Sequence, residues 1–190
     1  MNQLRGTWQF DGVNFARVAI VGSPGSGKTT LSVRLEPILQ RKAVHLDRLL
    51  WRSGWVLPPK EERKAIHDEL IARDTWLIDG MWGSLVAERY ARATVAIHLD
   101  YPTELCLARA RQRCTENIGK QRFDMADGCE DKIDDEFVEY ITNFKQNVGE
   151  KLYELEAAHP EVVLYRFTDP EQTNEFVDEL KLYMTSKRKN

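Results

Sequence analysis

A short apolar run followed at once by a glycine-rich loop constrains this chain more than any other stretch. Arg17-Val18-Ala19-Ile20-Val21 reads as a buried strand. Gly22-Ser23-Pro24-Gly25-Ser26-Gly27-Lys28-Thr29 follows directly, with Thr30 behind it, and matches G-x-x-x-x-G-K-[ST] without departure. Each part has a physical task. The glycines permit backbone angles that a side chain forbids. The N–H groups of such a loop turn inward around phosphate oxygens, and the helix expected from Lys28 to about Gln40 adds the positive end of its dipole. Lys28 is then placed to reach the β- and γ-phosphates of ATP, and the Thr29 hydroxyl is the expected Mg²⁺ ligand. The flanking strand and helix separate this reading from a glycine-rich turn with an incidental lysine.

The rest of the chain alternates strands with helices. Leu31, Leu35 and Leu39 share a face of the first helix, which Pro37 is expected to kink or end. Ala43 to Leu46 reads as a second strand closed by Asp47. Pro58-Pro59 opens a polar helix over about 60–73. Trp76-Leu77-Ile78 forms a third strand ending in Asp79-Gly80. Ser84 is placed to cap a short helix through Arg89. Thr94 to Leu99 is a fourth strand, and Thr103 is placed to cap a helix over about 104–117. Residues 118–130 are loop-like. A long helix is expected over about 132–157, with Ile133, Phe137, Ile141, Phe144, Val148 and Leu152 as its apolar stripe. Glu161 to Tyr165 is a fifth strand, and 170–184 a last helix. This order predicts an α/β protein, a three-layer P-loop NTPase fold with a five-stranded parallel sheet covered on both faces. We expect one domain over 1–190, with 1–16 as an extension in which Thr7, Trp8 and Phe10 form an edge strand or pack on the surface.

Three groups of residues carry candidate chemistry. Asp79, at a strand end, has a Walker-B-like placement and would hold Mg²⁺ directly or through water; Asp47 would face the acceptor and take or orient a hydroxyl proton. A turn aspartate capping backbone N–H groups is the alternative for each. Asp100, His45 and His98 read as structural. Arg109 and Arg113, four apart, share a helix face and would meet the charge of a transferring phosphoryl group, with Arg122 in the loop beyond. An ordinary solvated face is the alternative, which the phosphate loop outweighs. Residues 118–130, with Gly119 and Gly128, would close as a lid. Trp51, Trp55 and Trp82 fall in the loops after the second and third strands. They either flank the acceptor site, with Arg48 and Arg52 as anion clamps, or cover a seam between helices.

Composition limits the partners. A net charge of −3 over 190 residues implies no general affinity for nucleic acid. The basic tail Lys187-Arg188-Lys189 reads as a solvated, frayed end. No apolar run approaches the roughly 20 residues that cross a bilayer. Cys106, Cys114 and Cys129 are odd in number and widely spaced, which points to reduced thiols and a cytoplasmic protein.

Four stretches together resemble a family: Gly22 to Thr30; His45-Leu46-Asp47 with Trp51 and Gly54-Trp55; Trp76 to Gly80; and Arg122-Phe123-Asp124-Met125-Ala126-Asp127-Gly128-Cys129 leading to Phe137, Tyr140 and Phe144. Over about residues 16–157 the chain is similar to the DNA topology modulation proteins of the FlaR type, themselves similar to adenylate kinases. The resemblance implies an adenylate-kinase-like core, a lid over about 114–130, ATP and Mg²⁺ at Gly22 to Thr30, and Arg109 and Arg113 in an arginine cluster beside the lid. Nucleoside monophosphate kinases carry D-G-x-P-R where this chain has Asp79-Gly80-Met81-Trp82-Gly83. Trp82 and Gly83 stand in place of proline and of the arginine that holds the acceptor phosphate. The expectation is therefore an ATP-dependent kinase, like a nucleoside monophosphate kinase, acting on a small-molecule acceptor that touches Asp47, Trp51, Arg52, Trp55, Gly80 and Trp82. The alternative is a nucleotide-dependent regulatory ATPase or topology modulation factor.

Overall fold

The computed structural model describes residues 8–188. Five strands form one sheet: β1 (Arg17–Gly22), β2 (Ala43–His45), β3 (Trp76–Asp79), β4 (Val95–Leu99) and β5 (Val163–Phe167), in spatial order β2-β3-β1-β4-β5 with every pairing parallel. Helices α1 (Lys28–Leu39), α2 (Leu46–Leu50), α3 (Lys60–Ala72), α4 (Val86–Arg92), α5 (Thr103–Glu116), α6 (Asp135–Thr142), α7 (Glu150–Ala158) and α8 (Pro170–Lys187) complete the fold.

Strand side chains alternate between two apolar layers, as the period of a strand requires. Val18 and Ile20 of β1, with Val95, Ile97 and Leu99 of β4, pack against Leu31 and Leu35 of α1 and Phe176 and Leu180 of α8. Ala19 and Ala96 face the other layer, with Leu46, Leu50, Leu70 and Tyr90. Burial on both faces explains why these strands are continuous apolar runs. From β1 the chain crosses to β2 on one side, and later to β4 on the other. The crevice beyond the carboxyl ends of β1 and β3 is the place where such sheets take ligands. Register brings Ile20 beside Asp79 and His45 beside Asp79 there.

Several boundaries differ from those expected. The second strand stops at His45, and Leu46 begins α2, so Asp47 lies in a helical first turn rather than at a strand end. Helix α1 runs through Pro37 and ends at Leu39, with Gln40 left-handed at φ 52°. Ser84 caps nothing: the N–H groups of Leu85 and Val86 both donate to the Trp82 carbonyl, which starts α4. Thr103 is the first residue of α5, behind Pro102. The long helix is three pieces, α6, a π-helical turn at Lys145–Gly149, and α7. The wide turn redirects the apolar stripe, so Phe137 and Ile141 meet one cluster while Phe144 and Leu152 meet another. Helix α6 begins at Asp135 because the Asp134 carboxylate accepts from the Phe137 N–H. The fifth strand lies two residues later than expected, burying Tyr165 and Phe167 against Phe176.

Trp8 and Phe10 form neither a strand nor a surface patch. They stack into the aromatic layer with Tyr165 and Phe176, and Phe10 is buried; Thr7 lies outside the described residues. The basic tail is tied down through Arg188: Lys187 pairs with Asp11 at 3.0 Å, and Arg188 donates to the Ile38 carbonyl at 2.7 Å. Lys189 lies outside the described residues. No helix among those described is long and apolar enough to cross a membrane.

Candidate active site

The loop from Gly22 to Thr29 connects β1 to α1 over the carboxyl edge of the sheet. Gly25 has φ +79°, and a Cβ there would stand 2.1 Å from the Cys106 carbonyl oxygen, so α5 packs against bare backbone. Gly22, at φ +143°, is closed in the same way by the Leu99 carbonyl. The Ser23 and Ser26 hydroxyls are buried and meet no partner among the described residues. Lys28 Nζ donates to the Gly22 and Ser23 carbonyls at 2.9 Å each. Burial lowers the pKa of Lys28, against the pull of Asp47 and Asp79. A basic ammonium and two orphaned hydroxyls in an N–H-lined loop suit phosphate oxygens.

The two acids expected near this loop are both there, differently engaged. Asp79 is buried and accepts from the Ser32 hydroxyl, and its Oδ2 lies 2.7 Å from His45 Nδ1. Burial opposes charge on His45, yet the hydrogen bond and charge of Asp79 outweigh it and raise its pKa. His45 is thus a satisfied partner of the acid. Asp47 accepts from Trp82 Nε1 at 2.9 Å. Burial raises its pKa, opposed by the Lys28 charge and the Trp82 bond. Asp100 is held by Lys145 and Tyr153, and His98 meets Glu156 at 2.7 Å. Gly80 does not line the cleft; at φ +123° it serves the backbone, with its would-be Cβ 3.0 Å from Leu46.

Arg109 and Arg113 both line the cleft, as their spacing predicts. The Arg109 guanidinium lies over the Tyr101 ring at 5.7 Å. Arg113 grips Asp131 with two nitrogens, at 2.9 and 3.1 Å. Arg122 reaches the same Asp131 at 3.1 Å and grips Asp124 at 3.0 and 2.5 Å. Asp124 in turn accepts from the Thr29 hydroxyl at 3.0 Å. Burial works against its ionisation, but Arg122 outweighs that and lowers its pKa. A chain of contacts therefore runs Thr29–Asp124–Arg122–Asp131–Arg113, joining the coil at 118–130 to both the phosphate loop and α5.

The three tryptophans meet. Trp51 lies 5.4 Å from Trp55 and 5.5 Å from Trp82, and all three line the cleft. Trp51 and Trp55 also cover Met125, Ala126 and Cys129 of the coil, so they are both wall and seam. Trp55 and Trp82 are left-handed, at φ 61° and 44°, a conformation that side chains rarely hold without tertiary constraint. Arg48 and Arg52 do not line the cleft: Arg48 donates to the Phe123 carbonyl at 2.8 Å, and Arg52 pairs with Glu62 at 2.5 Å on the surface.

Two important residues were given no role of their own by the sequence, although Asp124 lies in a stretch that carries the resemblance. Asp124 was one acid among many in a charged loop. Arg89 is fully buried and donates to the Gly80 and Met81 carbonyls at 2.6 and 2.9 Å. Burial lowers its pKa to about 10. It holds the backbone turn between Asp79 and Trp82, and a lone arginine on a short helix announces no such task.

One cleft of about 1240 Å³ joins the phosphate loop, Asp47, Asp79, the arginines of α5 and the three tryptophans. It exceeds the roughly 300–1,000 Å³ of a pocket for one small ligand. Pro24 to Leu31 line one end and Asp47, Trp51, Trp55 and Trp82 the other.

Comparisons agree with this architecture. The structure is similar to a shikimate kinase from Acinetobacter baumannii solved with shikimate, at 15% identity and TM-score 0.59, covering 92% of this chain and 96% of that one. It is also similar to a shikimate kinase from Bacteroides thetaiotaomicron, at 18% identity and TM-score 0.53, covering 90% and 98%. At such identities the likeness concerns the fold, a P-loop kinase fold with a five-stranded parallel sheet. No curated protein matches the sequence. The family model described as AAA domain matches residues 18–139, from the first strand through the phosphate loop and the coil to α6. This is a coarser grouping than the FlaR type, and it covers most of the chain: the protein belongs to the AAA domain family of P-loop proteins.

Proposed function

We propose that this protein is an ATP-dependent kinase that transfers the γ-phosphoryl group to a small-molecule acceptor. The observation that carries this is one cleft with a phosphate loop at one end and a half-buried carboxylate, Asp47, backed by tryptophans at the other. A nucleotide-only switch needs no second compartment. The kinase folds of the similar structures support the same class.

The roles follow from the contacts. The N–H groups of Gly22 to Thr30 cradle the phosphates, and Lys28 exchanges its two carbonyl partners for β- and γ-phosphate oxygens. Mg²⁺ fits the hard oxygens gathered beside the loop: Thr29, Asp79 and, in addition to the expected pair, Asp124. When bound, it neutralises charge on the phosphates. Arg109 and Arg113 face the transferring group from α5. Asp47 orients the acceptor hydroxyl and takes its proton, the part its raised pKa suits. The segment at about 114–130 acts as a lid, and the bond between Asp124 and Thr29 is its latch. Closure excludes water, which would otherwise compete for the γ-phosphoryl group. The free, buried thiols suit a reducing compartment such as the cytoplasm.

Acceptor-dependent ADP release with Mg·ATP tests this reading. The expected result is slow basal hydrolysis and strong stimulation by at least one small metabolite. Hydrolysis stimulated by DNA and by no small molecule would restore the regulatory alternative.

A further inference from the structure

The acceptor end of the cleft has an aromatic floor, and the cations that line the cleft are already engaged. Trp51 meets both Trp55 and Trp82 there, with ring centroids 5.4 and 5.5 Å away. Phe123 and Tyr140 line the same cleft and are 60% and 42% exposed. Large aromatic faces held open to a cleft match ring-shaped ligands, whether by stacking on a base or by covering the C–H face of a sugar.

Charge narrows the class. Each cation that lines the cleft has an occupation. Arg113 and Arg122 are held by Asp131 and Asp124, and Lys132 by Asp134. Arg34 donates to Asn174. Arg109 lies over Tyr101 beside the phosphate loop, and Lys28 sits on the loop itself. Arg48 and Arg52 are engaged outside the cleft, and Arg63, whose guanidinium lies over the Trp82 ring at 5.5 Å, donates to the Pro58 carbonyl and does not line the cleft. Of the acids that line the cleft, Asp79 is matched by His45 and Asp47 by Trp82 Nε1 and the Lys28 charge, while Glu136 is exposed and holds no ion pair among the described residues. A phosphate or carboxylate on the acceptor would lose its water and find no unengaged cation lining the cleft in return.

We propose that the acceptor is a ring-bearing alcohol without phosphate or carboxylate, of the sugar or nucleoside class, stacked on Trp51 and Trp82 with its reactive hydroxyl on Asp47. This rests on the kinase reading above. In the transfer, the acceptor oxygen forms a bond to the γ-phosphorus, the bond from that phosphorus to the β,γ-bridging oxygen breaks, and ADP leaves with its electron pair. The hydroxyl proton passes to Asp47, giving ADP and a phosphate monoester. Trp82, where a nucleoside monophosphate kinase carries proline beside an arginine, therefore belongs to a site whose cations are already engaged.

The test is ADP release with Mg·ATP over matched acceptors at equal concentration: sugars, nucleosides, the monophosphates of each, and shikimate as a carboxylate. The expected result is turnover of an uncharged member, in the sugar arm or the nucleoside arm, with kcat/KM at least about 100-fold above its own monophosphate and above shikimate. A monophosphate or carboxylate used as well as its uncharged counterpart overturns the inference and leaves the kinase reading standing. Turnover of no acceptor overturns the kinase reading itself, and the inference with it. With the working acceptor, Trp51→Ala should raise acceptor KM about tenfold or more while ATP KM shifts by no more than about twofold. Equal rises in both KM values would mean that Trp51 supports the fold and not the acceptor.

Discussion

The two ends of the cleft are built in different ways. The phosphate end is backbone: nine consecutive residues, with glycines where α5 and β4 press too close for a side chain. The acceptor end is side chains gathered from distant segments: Asp47 and Trp51 after β2, Trp82 after β3, and Phe123 in the coil. A backbone site survives most changes of neighbour, because its geometry is set locally. A gathered site depends on each supporting contact, such as Trp82 Nε1 on Asp47 and Arg89 beneath the turn. The first end can hold any nucleoside triphosphate, and the second is where selectivity must reside.

That contrast is breakable. The largest effect belongs to Lys28→Ala, which removes the ammonium carried by the phosphate loop itself. Turnover should fall by on the order of 10³-fold, measured as ADP release. Retained turnover would mean that the loop is not the site. Arg89→Ala tests the support of the gathered end. It leaves the Gly80 and Met81 carbonyls buried without their donor, and denaturant unfolding should show a loss of about 3 kcal/mol. ATP affinity, tested below the transition, should change less than acceptor KM. Asp124→Asn weakens the latch between coil and loop and the third hard ligand. We expect turnover to fall about tenfold and the basal leak of ATP to water to rise relative to transfer. The smallest effect is Trp82→Phe, which keeps an aromatic ring and deletes the indole donor. Acceptor KM should rise by about fivefold, one neutral hydrogen bond, with ATP KM unaltered.

The same contrast explains what sequence makes visible. The loop, all five strands and the face shared by Arg109 and Arg113 were legible, because each is written in neighbouring residues: a motif, an apolar run, a spacing of four. The acids were legible as types; Asp79 ends β3 as expected, and Asp47 was misread in place. Asp47 sits on a helix because Leu46, expected to extend the strand, instead starts α2 and is buried beneath Gly80. Arg52 looked like an anion clamp and pairs with Glu62, ten residues away on the surface. Ser84 lost its capping role to the Trp82 carbonyl. Asp124 and Arg89 could not be singled out, since each acquires its role only when a distant partner arrives: Thr29, 95 residues away, and the turn after β3. The break in the long helix was hidden because a π-helical turn keeps an apolar stripe while moving it from one cluster to another.

The central claim is that one cleft holds two separable sites, ATP on the backbone loop and an acceptor on Asp47. Asp47→Asn tests it most directly, with ATP affinity measured by calorimetry and acceptor-dependent turnover measured across pH. In the unaltered protein, turnover should fall as pH drops through the raised pKa of Asp47, because the ionised form is the base, so the acid limb lies above the ordinary aspartate range. The alkaline limb should follow loss of the Lys28 charge, earlier than for an ordinary lysine. The account predicts that the substitution leaves ATP affinity within about threefold, lowers acceptor-dependent turnover by about 10²-fold or more, and removes the acid limb. Full turnover with the acid limb intact, or ATP binding lost together with transfer, would contradict it.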